Sequence, residues 1–540
     1  MKSKIKVDFG KTTKPTPLTS VIDSTRVPSP YQQRIYEHVK SQLIGEAVHD
    51  GHLGLSNAII KAVAGSGKTT TLVDALRLTQ HQAIFLAFNK SIAEELKRRV
   101  PSNVQARTFH SLCYRPVLQA LGAREVNQTK LREVIATVMT DPYDIARYGS
   151  FVRKLVGLAK SDGLGCLKPA DEENLMALVD QHDLTFEHDD ARMEKGIEFT
   201  RRALDVSNGR KDADFDDLLY FSVLKGIALP KFWWVFVDEA QDTNAIQRAI
   251  LKKIVKDGGR LIAVGDPAQA IYGFRGADSN ALDLIAKDFA PCLELPLSVT
   301  YRCPLSVVKE AKQYVKDIEP RPNAPEGKVD RLDRMWALKD FGPHDLVVCR
   351  YTRPVIELGY KLMMAKIPLR IMGRDIGESL IKLITKCSGK DGSATFDEFL
   401  ANLEKWETRE SEKALAKGNE AKAESIHDKA DAIEMLAAAL PEDSRTIGEL
   451  IRIIQTLFTE VNSRVTLSTI HKAKGLEADT VWWLNPSSCP SRWAKQPWQQ
   501  QQERNLMYVA VTRAKERLCM IEMPRNGDVP IERKQKKGDR

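Results

Sequence analysis

Short apolar runs of strand length recur along the chain, separated by stretches whose apolar positions fall at helical spacing. The runs are Asn57 to Val63, Ala83 to Ala87, Phe232 to Val237, Leu261 to Val264, Leu346 to Cys349 and Val481 to Leu484. Such runs, spaced by helices, predict an α/β protein with parallel sheets flanked by helices, and there are enough strands for two sheets. Two stretches break the alternation. Residues 113–211 keep a helical period, as in Phe151, Leu155, Val156 and Leu158, with no comparable strand run. Residues 376–461 place Phe396, Phe399, Leu400, Leu403 and Trp406 behind the capping box Thr395/Glu398, with a second box at Thr446/Glu449. Both are expected to be mainly helical insertions. Within the second, residues 411–440 are rich in Ala, Lys and Glu and contain no aromatic residue, which predicts a solvated helical arm.

A length of 540 residues predicts two to four folded units with ample core. The eight cysteines, at 113, 166, 292, 303, 349, 387, 489 and 519, form no C-x-x-C pair and have no histidines at zinc spacing. A disulfide framework and a metal cluster are therefore not expected, and a reducing, cytoplasmic setting is. The longest apolar runs are strand-sized, so neither a signal peptide nor a membrane span is expected. The net charge is +9, but residues 1–28 carry six bases against two acids and residues 526–540 five against three. These tails hold six of the nine charges, and they read as a flexible basic arm and a flexible basic tail. The body between them is close to neutral.

The first chemistry lies after the run ending at Val63: Ala64-Gly65-Ser66-Gly67-Lys68-Thr69-Thr70. Glycines let backbone N–H groups approach phosphate oxygens, Lys68 can reach the β- and γ-phosphates, and Thr69 can hold Mg²⁺. The general formula has a glycine where this chain has Ala62. The run Phe232 to Val237 ends in Asp238-Glu239-Ala240-Gln241-Asp242, which puts carboxylates where ligands sit in such sheets. Asp238 suits a Mg²⁺ ligand, and Glu239 suits a base for an attacking water.

In their order along residues 29–520, these segments and others resemble the UvrD/Rep/PcrA group of superfamily 1 DNA helicases. Pro30-Tyr31-Gln32 is similar to the adenine-reading glutamine motif, and Ala87-Phe88-Asn89-Lys90 and Thr108-Phe109-His110-Ser111-Leu112 to the two early DNA-contact motifs. Gly265 to Gly276, including Gln269, Tyr272, Phe274 and Arg275, resembles the third helicase motif, and Thr300-Tyr301-Arg302 the fourth. Thr469 to Glu477, including His471, resembles the fifth, and Tyr508 to Ala514, including Arg513, the sixth. The wording of Phe88 to Leu96 is closest to the F-box DNA helicase branch, though no F-box-like segment is present.

The resemblance implies two RecA-like P-loop NTPase domains, 29–112 with 212–285 and 286–375 with 462–525, interrupted by helical insertions at 113–211 and 376–461. It implies Mg²⁺ with ATP in the cleft, bound by Gln32, Ala64, Gly65, Ser66, Gly67, Lys68, Thr69, Thr70, Tyr301 and Glu477, with Thr69 and Asp238 at the metal. Lys68, Glu239, Gln269, Arg302 and Arg513 are the expected catalytic groups. Cations at the γ-phosphate offset its spreading charge, and an arginine from a second domain makes hydrolysis depend on closure. Phe88, Phe109, Tyr272 and Phe274 are candidate base platforms, with core packing as the alternative for Phe109. Asn89, Lys90, Thr108, His110, Arg275 and His471 are candidate partners for the rest of the strand. The implied activity is 3′→5′ movement on single-stranded DNA with strand separation at ss/ds junctions, in the cytoplasm or on the nucleoid. Two alternatives stay open: a translocase that strips proteins or serves a nuclease complex with weak unwinding, and an ATP-gated DNA-binding scaffold recruiting protein partners through 411–440 or the tails. Relatives commonly place arginine where this chain has Thr70, and the insertion at 376–461 is about half the expected size.

Overall fold

The computed structural model describes residues 27–44, 56–79, 81–182, 184, 190–273, 276, 280–333, 336–389, 394–415, 420–458, 465–492 and 494–523. Phe274, Arg275, nearly all of the N-terminal arm and the C-terminal tail lie outside the described residues.

Helix α1 (Pro30–Ile44) leads into β1 (Asn57–Ala62), α2 (Lys68–Arg77), β2 (Ala83–Leu86), α3 (Lys90–Lys97) and β3 (Val104–Arg107). Six helices follow: α4 (Phe109–Leu121), α5 (Lys130–Val138), α6 (Pro142–Asp162), α7 (Glu172–Gln181), α8 (Asp190–Gly209) and α9 (Phe215–Leu224). Strand β4 (Phe232–Val237), α10 (Ala245–Ile254), β5 (Val255–Gly265), α11 (Ala281–Asp288) and β6 (Cys292–Leu297) complete the first half. Its sheet runs β3-β2-β4-β5-β1-β6, with every pairing parallel. The division expected at 285/286 is corrected here. Cys292–Leu297 pairs with β1 in continuous register, so the first sheet extends as far as Leu297. Its polar-interrupted sequence, CLELPL, does not read as an apolar run.

The second half has the short pair β7 (Val299–Thr300) and β8 (Glu319–Pro320) around α12 (Leu305–Ala311), then β9 (Lys328–Asp333), β10 (Leu346–Cys349), α13 (Thr352–Met364) and β11 (Leu369–Ile371). Helices α14 (Arg374–Cys387), α15 (Phe396–Leu415), α16 (Glu420–Ala439) and α17 (Ile447–Leu457) precede β12 (Val465–Thr469), β13 (Ala478–Leu484), α18 (Pro497–Val511) and β14 (Ala514–Ile521). This sheet is ordered β11-β12-β10-β13-β14-β9 and is also parallel.

The two insertions are built differently. The first has its own core, from Val134, Val152, Leu155, Leu175 and Leu204 among others. The second shares one core with the second sheet: Phe399, Leu403, Ala430, Ile433, Leu436 and Ile454 join Val347, Leu467 and Trp482. The expected solvated arm is thereby corrected. Small residues Ala430 and Ala437 are buried in α16, where they allow close approach of a neighbouring helix, and Tyr360 of α13 donates to Ala439 O at 3.0 Å. No described helix is long and apolar enough to cross a membrane.

Candidate functional site

Strand β1 delivers the chain to a loop at the C-terminal edge of the first sheet. There Gly65 (φ +71°) and Gly67 (φ +76°) occupy the left-handed region, which aims successive N–H groups into one hollow. A Cβ on Gly65 would lie 2.6 Å from Arg302 Cβ, so only glycine lets the second half approach this closely. Ser66 Oγ is buried and makes no hydrogen bond among the described residues. A buried hydroxyl in a glycine cradle at the start of α2 fits a phosphate oxygen.

Strand β4 carries Asp238 and Glu239 to the same edge. Thr69 Oγ1 donates to Asp238 Oδ2 at 2.6 Å, and Lys68 Nζ stands 3.2 Å from Glu239 Oε1. Burial raises the Asp238 carboxyl to about 6, and the charge of Glu239 adds to the rise. Burial pushes Glu239 upward too, but the ammonium groups of Lys68 and Lys474 outweigh it and hold Glu239 well below the usual carboxylate range. Glu239 is thus ionised at neutral pH. Its backbone, at φ 51° and ψ 40°, lies in the left-handed region that non-glycine residues seldom enter. One carboxylate and one hydroxyl, both hard oxygen donors, suit a Mg²⁺ ion, which Asp238 and Thr69 would hold.

The second half closes this edge from above. Tyr301 N donates to Gly65 O at 2.8 Å, and Tyr301 OH donates to Gln32 Oε1 at 3.2 Å. Gln32 Nε2 in turn donates to Thr71 Oγ1 at 2.9 Å, so the two expected base-reading residues meet beside the loop. Thr70, where relatives commonly have arginine, accepts from Arg99 Nη2 at 3.5 Å. Ala64 N donates to Tyr508 OH at 2.9 Å. Arg513 is fully buried, donates to Gln269 Oε1 at 3.4 Å, and is lowered to about 9 by burial and by neighbouring Arg302. Gln269 also donates to Asp266 Oδ2 at 2.7 Å. Arg302 forks onto Glu477 at 2.8 Å and donates to Thr512 O at 3.2 Å. Glu477, expected at the ribose, is here held by Arg302 and Lys515, each at 2.8 Å.

Lys474 does not stand out in the sequence, although the motif around it does. Its side chain is 8% exposed; the ammonium donates to Asp242 Oδ2 at 2.6 Å and Gln269 O at 2.8 Å, and lies 3.6 Å from Glu239 Oε2. Its ammonium also sits 5.0 Å from the Tyr272 ring centre and 6.0 Å from that of Phe88. Those two rings stack on each other at 5.6 Å, with Phe88 exposed. A second stacked pair joins His110 to Phe215 at 4.0 Å, and Phe215 is 58% exposed. Phe215 gives no sequence signal either, since one aromatic residue in Asp214-Phe215-Asp216 reads like a core anchor.

Several residues expected at DNA also make local backbone contacts. Asn89 Oδ1 accepts from Ile92 N at 2.9 Å as the N-cap of α3, with Lys90 exposed beside it. Thr108 Oγ1 accepts from Ser111 N at 3.2 Å as the N-cap of α4. Phe109 is a correction. It is only 7% exposed and packs into the core of the first sheet, so it offers no face to a base. His471 O accepts from Tyr272 OH at 3.4 Å.

With this geometry in place, two family descriptions match the chain. Residues 46–290 match the UvrD/REP helicase N-terminal domain, and residues 376–524 match the UvrD-like helicase C-terminal domain. The chain belongs to the UvrD/REP helicase family. Among its relatives, the ATP-dependent DNA helicase PcrA of Staphylococcus aureus is 27% identical over 288 residues, covering 48% of this chain and 38% of that protein. The ATP-dependent DNA helicase UvrD1 of Mycobacterium tuberculosis is 30% identical over 360 residues, covering 59% of this chain and 43% of its own length. The chain thus spans less than half the length of the curated relatives it matches. A solved arterivirus nonstructural protein 10 helicase aligns over 91% of this chain and 61% of its own at 12% identity, with a TM-score of 0.32, too low to bear on the fold.

Within this UvrD/REP-family chain, burial lowers His110 and His182 to about 4. The folded state keeps both neutral, while the unfolded chain takes up protons near 6.5. The stability each contributes is therefore present above 6.5 and lost as pH falls toward 4, at about 1.4 kcal/mol for each tenfold difference in proton affinity between the two states. Unfolding midpoints measured across that window should fall more steeply for the wild type than for His110→Asn; parallel profiles would show that His110 is not held neutral.

Proposed function

We propose that this chain is an ATP-driven motor that moves 3′→5′ on single-stranded DNA and couples Mg·ATP hydrolysis to strand separation. The observation that carries this reading is Lys474, which touches the carboxylates beside the phosphate loop and the Phe88–Tyr272 stack at once. The direction of travel rests on the family resemblance alone.

In this mechanism Gly65, Ser66 and Gly67 bind the phosphates through N–H and hydroxyl groups, and Lys68 turns from Glu239 to the β- and γ-oxygens. Thr69 and Asp238 would hold Mg²⁺, which would supply charge neutralisation at the phosphates. Glu239 orients the attacking water and takes its proton. Arg302 and Arg513 approach the γ-phosphate from the second half, so hydrolysis requires the halves to be closed. Gln32 and Tyr301 hold the base. Beside Lys474, Phe88 and Tyr272 stack on bases, as does Phe215, each stack worth about 1–3 kcal/mol. His110 and His471 flank them, and His110 acts there as a neutral ring.

A second reading, a translocase with weak unwinding, is favoured by the way the second insertion shares the core of the second sheet. The two are separated by measuring ATP turnover with and without single-stranded DNA while following release of a 3′-tailed duplex. Large stimulation with strand release supports the motor and its polarity. Stimulation without release selects the translocase, and no stimulation by any DNA defeats both. Phe215→Ala should weaken oligo(dT) binding by about 1–3 kcal/mol without changing DNA-independent turnover; unchanged affinity in fluorescence anisotropy would remove Phe215 from the DNA face.

A further inference from the structure

Three acidic residues of α16, Glu424, Asp428 and Asp431, recur at i, i+4 and i+7 and so share one helix face. That face grips four consecutive residues at the end of β10 and the start of α13. Tyr351 OH donates to Glu424 Oε1, and Arg350 Nη2 lies 3.8 Å from Glu424 Oε2. Thr352 N and Arg353 N donate to the two oxygens of Asp428 at 2.8 and 2.7 Å, so an insertion side chain caps α13. Arg353 Nη1 donates to Asp431 Oδ2 at 2.9 Å.

Arg350 also reaches in the other direction. Its Nε and Nη2 engage Glu503 Oε1 at 2.9 and 2.7 Å. Glu503 is 3% exposed, sits on α18, and accepts from Ser491 N at 3.0 Å; Ser491 Oγ returns to Glu424 Oε1 at 2.8 Å. Beyond Glu503 on the same helix, Asn505 Nδ2 donates to Ala270 O at 2.8 Å and Tyr508 OH meets Ala64 N. Arg513 follows closely on the end of this helix. Thus an unbroken series of charged and hydrogen-bonded contacts runs from the second insertion to the helix that faces the phosphate loop.

We propose that Glu424, Arg350 and Glu503 form a brace through which the second insertion sets the position of α18, making Arg350 and Glu424 positioning residues for ATP turnover. Buried forked pairs of this kind are best suited to fixing register, because any slide of the helix separates both hydrogen bonds together. The insertion then acts as a part of the ATPase rather than as a separate arm. The brace depends on the motor reading for its catalytic consequence, but not for its structural one.

The test uses the full chain with Arg350→Met, Arg350→Lys and Glu424→Gln. Turnover and KM for ATP are measured at saturating oligo(dT), together with oligo(dT) affinity and amide hydrogen exchange over residues 497–511. Displacement of a reacting group by about 1 Å costs about 10²-fold, so kcat should fall about ten- to a hundredfold in Arg350→Met, and less in Arg350→Lys and Glu424→Gln. KM for ATP and oligo(dT) affinity should stay within about twofold, and exchange in 497–511 should rise. Unchanged exchange there in both Arg350→Met and Glu424→Gln overturns the brace whatever turnover does. So does an equal loss of turnover and DNA affinity, which would mark general unfolding. Wild-type protein with no DNA-stimulated turnover would defeat the motor reading, and the exchange data would still decide the brace.

Discussion

Glu239→Gln is expected to lower DNA-stimulated ATP turnover by about 10²–10⁴-fold while nucleotide still binds. The carboxylate is held ionised between Lys68 and Lys474, at 3.2 and 3.6 Å, which suits it to the proposed role of taking a proton from the attacking water. The amide keeps the shape of the side chain but loses the basic oxygen. It also removes the charge that ties Lys68 down, so ATP affinity should hold or tighten. Phosphate release after mixing with excess ATP, alongside equilibrium binding of a fluorescent ATP analogue, separates the two effects. A loss of turnover below about tenfold would mean that another group activates the water.

Lys130→Met is expected to destabilise the first half by about 3–5 kcal/mol, the usual cost of removing one partner from a buried ion pair. Lys130 Nζ lies 2.6 Å from Asp217 Oδ2, with both side chains fully buried. Lys160 Nζ completes the cluster at 2.7 Å from Asp217 Oδ1 and 3.2 Å from Asp214 Oδ2. Asp214 and Asp217 are also the capping box of α9, whose first residue is Phe215. The cluster therefore joins the first insertion to the helix end that presents the exposed Phe215 ring. Urea midpoints for Lys130→Met and for Lys130→Met/Asp217→Leu decide the matter. The double substitution should lose more than the single one, because Asp217→Leu also takes the nearer carboxylate from buried Lys160 and one half of the α9 capping box. A single-variant loss below about 1 kcal/mol would show that the buried charges are not a matched set.

Much of the molecule was legible in the amino-acid order, because some functions demand a residue type at a fixed spacing along one segment. Gly65 and Gly67 are required by left-handed backbone, Lys68 and Thr69 by the helix start that follows, and Asp238 and Glu239 by the end of an apolar strand. These are local constraints, so sequence determined them, along with the parallel α/β class and the two helical insertions. Strands β6 and β9 were hidden because edge strands are half polar, as in CLELPL and KVDRLD. Phe109 and Phe215 could not be ranked from their neighbours. Which ring is buried depends on what the fold lays over each of them, and only packing put Phe109 in the core and Phe215 on the surface. The same holds for Lys130, Lys474 and Glu424, whose partners stand 87, 232 and 74 positions away. An isolated lysine or glutamate reads as solvated until the tertiary structure brings it a counter-charge and removes the water, and that pairing across distance is what the chain order alone does not specify.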